Sequence, residues 1–196
     1  NQVANENLSI EDKADCIQNN AVLNITLDNG ESKNIHLLNK RDIHANCVQV
    51  MNQYTPTGGS AKNRYDVTIL VNGLPLVHIE LKRRGVQLRE AFNQINRYGR
   101  ESFWADNGLF DYIQLFVISN GTFSRYYSNT TRYAHVQANA VKKAHAKTEN
   151  NSYEFTSCWA DAENNSIDDL EDFAATFLAK NTLLNVLTKY CVFTVD

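Results

Sequence analysis

No stretch of this chain holds the roughly 18 consecutive apolar residues that a membrane-spanning helix needs. The longest apolar run, around Tyr112–Ser119, has the length of a strand. No basic-then-apolar leader opens the chain. With no membrane segment and no leader, the expected location is the cytoplasm. The first residue is Asn1 rather than Met, and the chain is expected to be cut from something longer. The four cysteines, Cys16, Cys47, Cys158 and Cys191, form no C-x-x-C pair. Four reduced, mostly buried thiols are therefore expected. His44-x-x-Cys47 has the spacing of half a zinc site, but no second half follows. Net positive charge is lacking too: the sum is −3. That excludes a protein that grips nucleic acid by bulk charge alone.

What is present is an ordinary globular composition. Of 196 residues, 43% are hydrophobic and 21% charged, enough to bury one core and to exclude collagen-like, coiled-coil and disordered chains. The charge is unevenly spread. Residues 61–133 carry 10 basic and 6 acidic side chains, between flanks that are each net acidic. Seven acids and no base fall in Glu154–Asp172, which reads as a solvated surface or a subunit contact.

Hydrophobic periodicity divides the chain as follows. Residues 1–20 are a polar lead-in. Val22–Leu27 and Asn34–Leu38 flank Asn29-Gly30 as a hairpin. Cys47–Tyr54 is a strand, and Thr55–Ala61 a loop. Tyr65–Val71 and Leu76–Lys82 are strands joined through Asn72-Gly73. Residues 86–103 form a helix with Ala91, Phe92, Ile95 and Tyr98 on one face. Asp111–Ser119 is a strand buried on both sides, followed by Phe123–Tyr127. Residues 134–152 are a polar insertion. Ser166-x-x-Asp169 would cap a helix bearing Leu170, Phe173 and Phe177, with a second helical stretch over Thr182–Tyr190.

The chemistry concentrates on one strand. Side-chain alternation puts Leu76, His78, Glu80 and Lys82 on one face of Leu76–Lys82. A carboxylate and an ammonium side by side in an apolar strand need a reason, because burying charge is costly. Asp66, on the preceding strand, adds a second carboxylate. Two carboxylates with a lysine beside them suit Mg²⁺, a hard cation that keeps waters and binds substrate phosphate. His78 is expected to fill space beside that site rather than serve as ligand or base.

Asp66, Glu80 and Lys82 together read D-(x13)-E-x-K, which resembles the PD-(D/E)xK nuclease motif. Gln94 and Tyr98 form Q-x-x-x-Y, one turn apart on a helix face, the accessory motif of one branch of these nucleases. The surrounding text, NRYDVTILVNGLPLVHIELKRRGVQLREAFNQINRYGRESF and LFVISNGT, resembles the restriction (motor-nuclease) subunit of type I restriction-modification enzymes. The resemblance is strongest over Val50–Thr131 and weakest over residues 1–30 and 134–152.

The resemblance implies an α/β restriction-endonuclease-like fold, a mixed central sheet flanked by helices. Residues 1–152 would be the nuclease domain, with its catalytic core at about 47–131. Residues 153–196 would be a helical linker toward a helicase motor outside this chain. The implied activity is Mg²⁺-dependent hydrolysis of double-stranded DNA at nonspecific sites after ATP-driven translocation. Methyltransferase and specificity subunits would be the partners. Asp66, Glu80 and the backbone carbonyl of Leu81 would hold the metal. Lys82 would orient the attacking water, and Gln94 and Tyr98 would brace the site or touch DNA. Arg83, Arg84, Arg89, Arg97 and Arg100 would supply phosphate contacts. Tyr65 stands where the motif's name has proline. The ATP-binding motif G-x-x-x-x-G-K-[ST] is lacking, and Gly58–Lys62 only echoes it. A stand-alone repair nuclease of the same fold, and a noncatalytic DNA-binding or docking module, remain the alternatives.

Parity imposes one geometric condition. A regular hairpin around a two-residue Asn72-Gly73 turn sets Asp66 opposite Ile79, and paired residues share a face. Asp66 would then point away from Glu80. The site needs an odd-length loop or a β-bulge between Asp66 and the turn, and Pro75, which cannot donate to the ladder, favours one. The two carboxylates are then expected to converge to within about 6 Å, the reach of a shared Mg²⁺.

Overall fold

A computed structural model of the chain describes residues 22–56, 63–103, 109–129 and 152–190. The polar lead-in, most of the loop over 55–61, Gly58–Lys62, nearly all of the 134–152 insertion, Cys16 and Cys191 lie outside these residues.

Asn72-Gly73 organises the centre of the fold. Both residues take positive φ, 51° and 86°, the conformation that a two-residue hairpin turn requires and that Asn-Gly adopts readily. The turn joins strands β4 (Tyr65–Val71) and β5 (Leu74–Leu81). Strand β3 (Val48–Tyr54) pairs antiparallel with the outer side of β4, and the Asn72 side chain accepts from the Cys47 N–H to tie the two together. Parallel neighbours need a long crossover. Here helix α1 (Leu88–Glu101) carries the chain from β5 to β6 (Leu115–Ser119), which lies parallel to β5. Strand β7 (Ser124–Ser128) closes the sheet in the order β3-β4-β5-β6-β7. The hairpin β1 (Val22–Thr26) and β2 (Ser32–His36) forms a separate two-stranded sheet.

Two apolar layers cover the five-stranded sheet. On one face Ile69, Val71, Val77, Ile79, Leu115 and Val117 pack with Phe173, Phe177, Leu183 and Leu187. Phe173 lies in helix α2 (Leu170–Thr176) and Phe177 is its C-cap, while Leu183 and Leu187 come from helix α3 (Lys180–Asn185) and the wider turn Val186–Tyr190 that continues it. On the other face Leu88, Ala91, Phe92, Ile95 and Tyr98 of α1 pack on Phe116, Ile118 and Tyr127, joined by Tyr65 and Phe103. The architecture is thus α/β, a mixed sheet between helical layers. No helix among the described residues is long and apolar enough to cross a membrane.

Several local expectations change. The apolar stretch from Asp111 does not run as one strand: Leu109–Tyr112 is a 3-10 turn, and the strand starts at Leu115. Asp111 and Gln114 are buried polar residues there, and Gln114 gives its side-chain amide to the Tyr112 carbonyl. Ser166 does not cap α2. Asp169 does, accepting from the Glu171 N–H, while the Ser166 hydroxyl bonds Asp168. Cys47 and Cys158 are exposed free thiols rather than buried ones. Cys47 precedes the edge strand β3, where the core cannot cover it.

Candidate active site

The β4–β5 pairing decides whether Asp66 and Glu80 can meet. Next to the turn the register is regular, with Val71 opposite Leu74 and Leu70 opposite Pro75. It then shifts between Ile69 and Leu70, so that Ile69 faces Val77, Thr68 faces His78 and Val67 faces Ile79. Leu76 is the extra residue, a β-bulge directly after Pro75. Continued by one residue, the shifted register sets Asp66 opposite Glu80. The two-residue turn is therefore kept, and the bulge supplies the change of parity.

The bulge also corrects the expected face of β5. Leu76 joins Val77 and Ile79 in the apolar layer against α2 and α3. It does not share a face with His78, whose ring meets Tyr65, Tyr98, Phe103 and Phe116 on the α1 side.

On that side the polar groups form a connected line. Asp66 Oδ2 accepts from the backbone N–H of Leu81 at 2.9 Å. Glu80 is fully buried, and its Oε1 accepts from Lys82 Nζ at 3.0 Å. The Lys82 ammonium also donates to Gln94 Oε1. The Gln94 amide nitrogen donates to the Tyr98 hydroxyl, and that hydroxyl donates to the Arg64 carbonyl at 2.9 Å. A phenol has one proton to give. Because Tyr98 spends it on Arg64, it must accept from Gln94, which turns the Gln94 carbonyl toward Lys82. The lysine is held between a carboxylate and an amide oxygen, each fixed in turn by the fold.

Burial above all raises the pKa of the Tyr98 hydroxyl. The Gln94 hydrogen bond pulls it back, and the Glu80 and Asp66 carboxylates add to the rise. Tyr98 therefore stays a neutral donor at ordinary pH. Sequence reading did not find the Arg64 carbonyl, because a backbone acceptor leaves no mark in side-chain identity.

The donors available to a cation can be counted from here. Glu80 Oε2 is buried and has no hydrogen-bond partner among the described residues. A buried carboxylate oxygen in that state is costly unless something polar meets it. Asp66 commits Oδ2 to Leu81, which leaves its other oxygen. Among the described residues no three His, Cys, Asp or Glu side chains form a ready-made metal cluster. Two carboxylates, a backbone carbonyl and waters fit the habits of Mg²⁺, which retains water, better than those of zinc.

The expected phosphate contacts are dispersed. Arg83, Arg84, Arg89 and Arg97 are exposed. Arg84 reaches Asp169 at 3.5 Å, and its side chain lies against Gly121 in the β6–β7 turn. Arg89 sits over the Tyr153 ring at 5.3 Å and Arg97 over the Tyr98 ring at 5.7 Å. The Arg100 side chain lies outside the described ones.

Residues 1–135 match the family described as type I restriction enzyme R protein N terminus. The chain is 52% identical, over 94% of its length, to the type I restriction enzyme EcoprrI endonuclease subunit of Escherichia coli, and covers 54% of that protein. It is 41% identical over 75% of its length to the type I restriction enzyme SauCOLORF180P endonuclease subunit of Staphylococcus aureus, covering 14% of it. A Staphylococcus saprophyticus endonuclease subunit is 40% identical over 81% of the chain, with 15% of that protein covered. The chain thus spans about half of the first relative and a small part of the others.

Proposed function

Because this chain belongs to the family of type I restriction enzyme R protein N termini, we propose that it is the endonuclease part of such an enzyme. In this reading it hydrolyses phosphodiester bonds of double-stranded DNA with Mg²⁺. Cleavage falls at nonspecific sites, after translocation driven by ATP at motor domains outside residues 1–196. Methyltransferase and specificity subunits select the sequence. The fold is then the restriction-endonuclease-like PD-(D/E)xK arrangement.

One observation carries the reading. The bulge brings Asp66 to the face of a buried Glu80, with Lys82 pinned beside them. Asp66, Glu80 and the Leu81 carbonyl would hold the cation. Bound Mg²⁺ supplies acidification of a water and neutralisation of phosphate charge. The protein contributes the rest. The Leu81 N–H fixes the Asp66 carboxylate. Glu80 and Gln94 aim the Lys82 ammonium at a place where it can orient the attacking water and meet charge growing on the phosphate. Gln94 and Tyr98 act through Lys82 as positioning residues. The exposed Arg83 contributes phosphate attraction next to Lys82, with Arg84, Arg89, Arg97 and Arg100 as further contacts along the loop and α1.

Cleavage of supercoiled plasmid by the full assembly, with and without Asp66→Ala, tests this. Loss of cleavage with ATP hydrolysis retained is expected. Cleavage near the unaltered rate overturns the reading.

A further inference from the structure

Four buried polar atoms at or beside the proposed metal ligands have no hydrogen-bond partner among the described residues: Thr68 Oγ1, His78 Nδ1, His78 Nε2 and Glu80 Oε2. Thr68, His78 and Glu80 are each fully buried. Native interiors rarely leave such atoms unmatched, and four on adjacent strands need an account. They are complementary. Thr68 is the direct register partner of His78 across β4–β5. His78 Nε2 lies 3.6 Å from Glu80 Oε2, just beyond hydrogen-bond length. Rings of Tyr65, Tyr98, Phe103 and Phe116 surround the imidazole edge to face and block rotation to any other polar group. The alternative, an imidazole that only fills space, would be met as well by Phe or Leu, and it leaves all four atoms unexplained.

We infer that His78 is a positioning residue for Glu80: an imidazole whose Nε2–H holds Glu80 Oε2 and so sets the carboxylate for a divalent cation. The inference rests on the reading that Asp66 and Glu80 bind that cation. Thr68, the cross-strand register partner of His78, brings a hydroxyl to the same face of the sheet, where a donor to the other ring nitrogen would keep the proton on Nε2. The carboxylate is then gripped from two sides, by Lys82 on Oε1 and by His78 on Oε2. A second lone pair on either oxygen remains for the ion. Residues that orient metal ligands in this way typically account for 10- to 100-fold in metal affinity.

The test is Mn²⁺ binding to the 196-residue chain, followed by the electron paramagnetic resonance signal of the free ion, with thermal unfolding recorded for each variant. The variants are Asp66→Asn, His78→Leu, His78→Gln, His78→Asn and Thr68→Val. Glutamine places an amide nitrogen near the Nε2 position and asparagine one near Nδ1. His78→Leu and His78→Asn should weaken Mn²⁺ by about 10- to 100-fold. His78→Gln should stay within about threefold of the unaltered chain and Thr68→Val within about fivefold, both smaller than the usual loss of a ligand-orienting partner. Should His78→Leu not fold, the Gln and Asn pair decides the matter alone. Equal affinities for Gln and Asn, or unchanged affinity in Leu, overturn the inference while a loss in Asp66→Asn leaves the metal reading standing. Unchanged affinity in Asp66→Asn overturns the metal reading and the inference with it.

Discussion

On the face of the sheet turned to α2 and α3, β4 and β5 present Ile69, Val71, Leu76, Val77 and Ile79, and Phe173, Phe177 and Leu183 close over them. On the face turned to α1 the same two strands present Thr68, His78 and Glu80, each fully buried, with Asp66 and Lys82 at the strand ends. One layer is dry and interchangeable in kind. The other holds a carboxylate and a lysine in an interior where charge is expensive. The contrast supports placing the proposed chemistry on the α1 side without reference to any motif. A fold that needed only stability would have made both faces like the first.

The contrast breaks most completely at the ligands. Asp66→Ala and Glu80→Gln should each lower plasmid cleavage by the assembly at least about 10³-fold, the scale of losing a preorganised electrostatic group, with ATP hydrolysis unaffected. Lys82→Ala should lose cleavage equally. It should also cost about 1–3 kcal/mol in a denaturant titration, because Glu80 is left buried without its partner.

The dry face should answer in stability instead. Phe177 is fully buried against Phe173, Trp159 and Tyr126. Phe177→Ala should cost about 3–5 kcal/mol, read as a lower denaturant midpoint. Wherever the variant remains folded, cleavage should be unchanged.

A third measurement uses pH. Burial above all lifts the Tyr65 hydroxyl from 10.0 to about 12, against the pull of its hydrogen bond to Ser102. The folded state thus keeps its proton where the unfolded chain has lost it. That stability is complete below pH 10 and drains away as pH rises from 10 to about 12. The loss over that window should be about 2–3 kcal/mol. Tyr65→Phe should flatten this part of the stability profile.

The smallest effect is expected at Arg84→Ala. Its 3.5 Å pair with Asp169 is exposed on both sides, and such pairs contribute no more than about 1 kcal/mol. A larger loss of stability would mean that the turn holding Gly121 depends on the arginine's stem.

Much of this was legible in the chain. The β4 strand coincides with its expected limits, α1 lies within its expected span, and Gln94 and Tyr98, one turn apart, bond each other, with Gln94 reaching Lys82. Parity required an odd-length loop or a bulge in the hairpin, and the strands take the bulge. Which residue would bulge was not legible. Leu76 reads as one more apolar position, and only the competition between Pro75 and the ladder displaces it. Ser166 and Asp169 both suit a helix cap in the sequence, and two acids follow Asp169, the residue that caps α2. The turn at Leu109–Tyr112 was hidden by an apolar run that periodicity cannot divide.

The bulge at Leu76 has a consequence for how this hairpin can change in length. Away from the bulge the side chains between Asp66 and Glu80 alternate sides, so inserting or deleting one residue there carries a carboxylate through the sheet into the layer of Phe173 and Phe177. Two residues gained or lost restore the side. Point substitutions along these strands are graded in their effect, whereas single-residue indels are all or nothing. Inheritable variation in hairpin length is therefore confined to even steps, or to an odd step that erases the bulge itself.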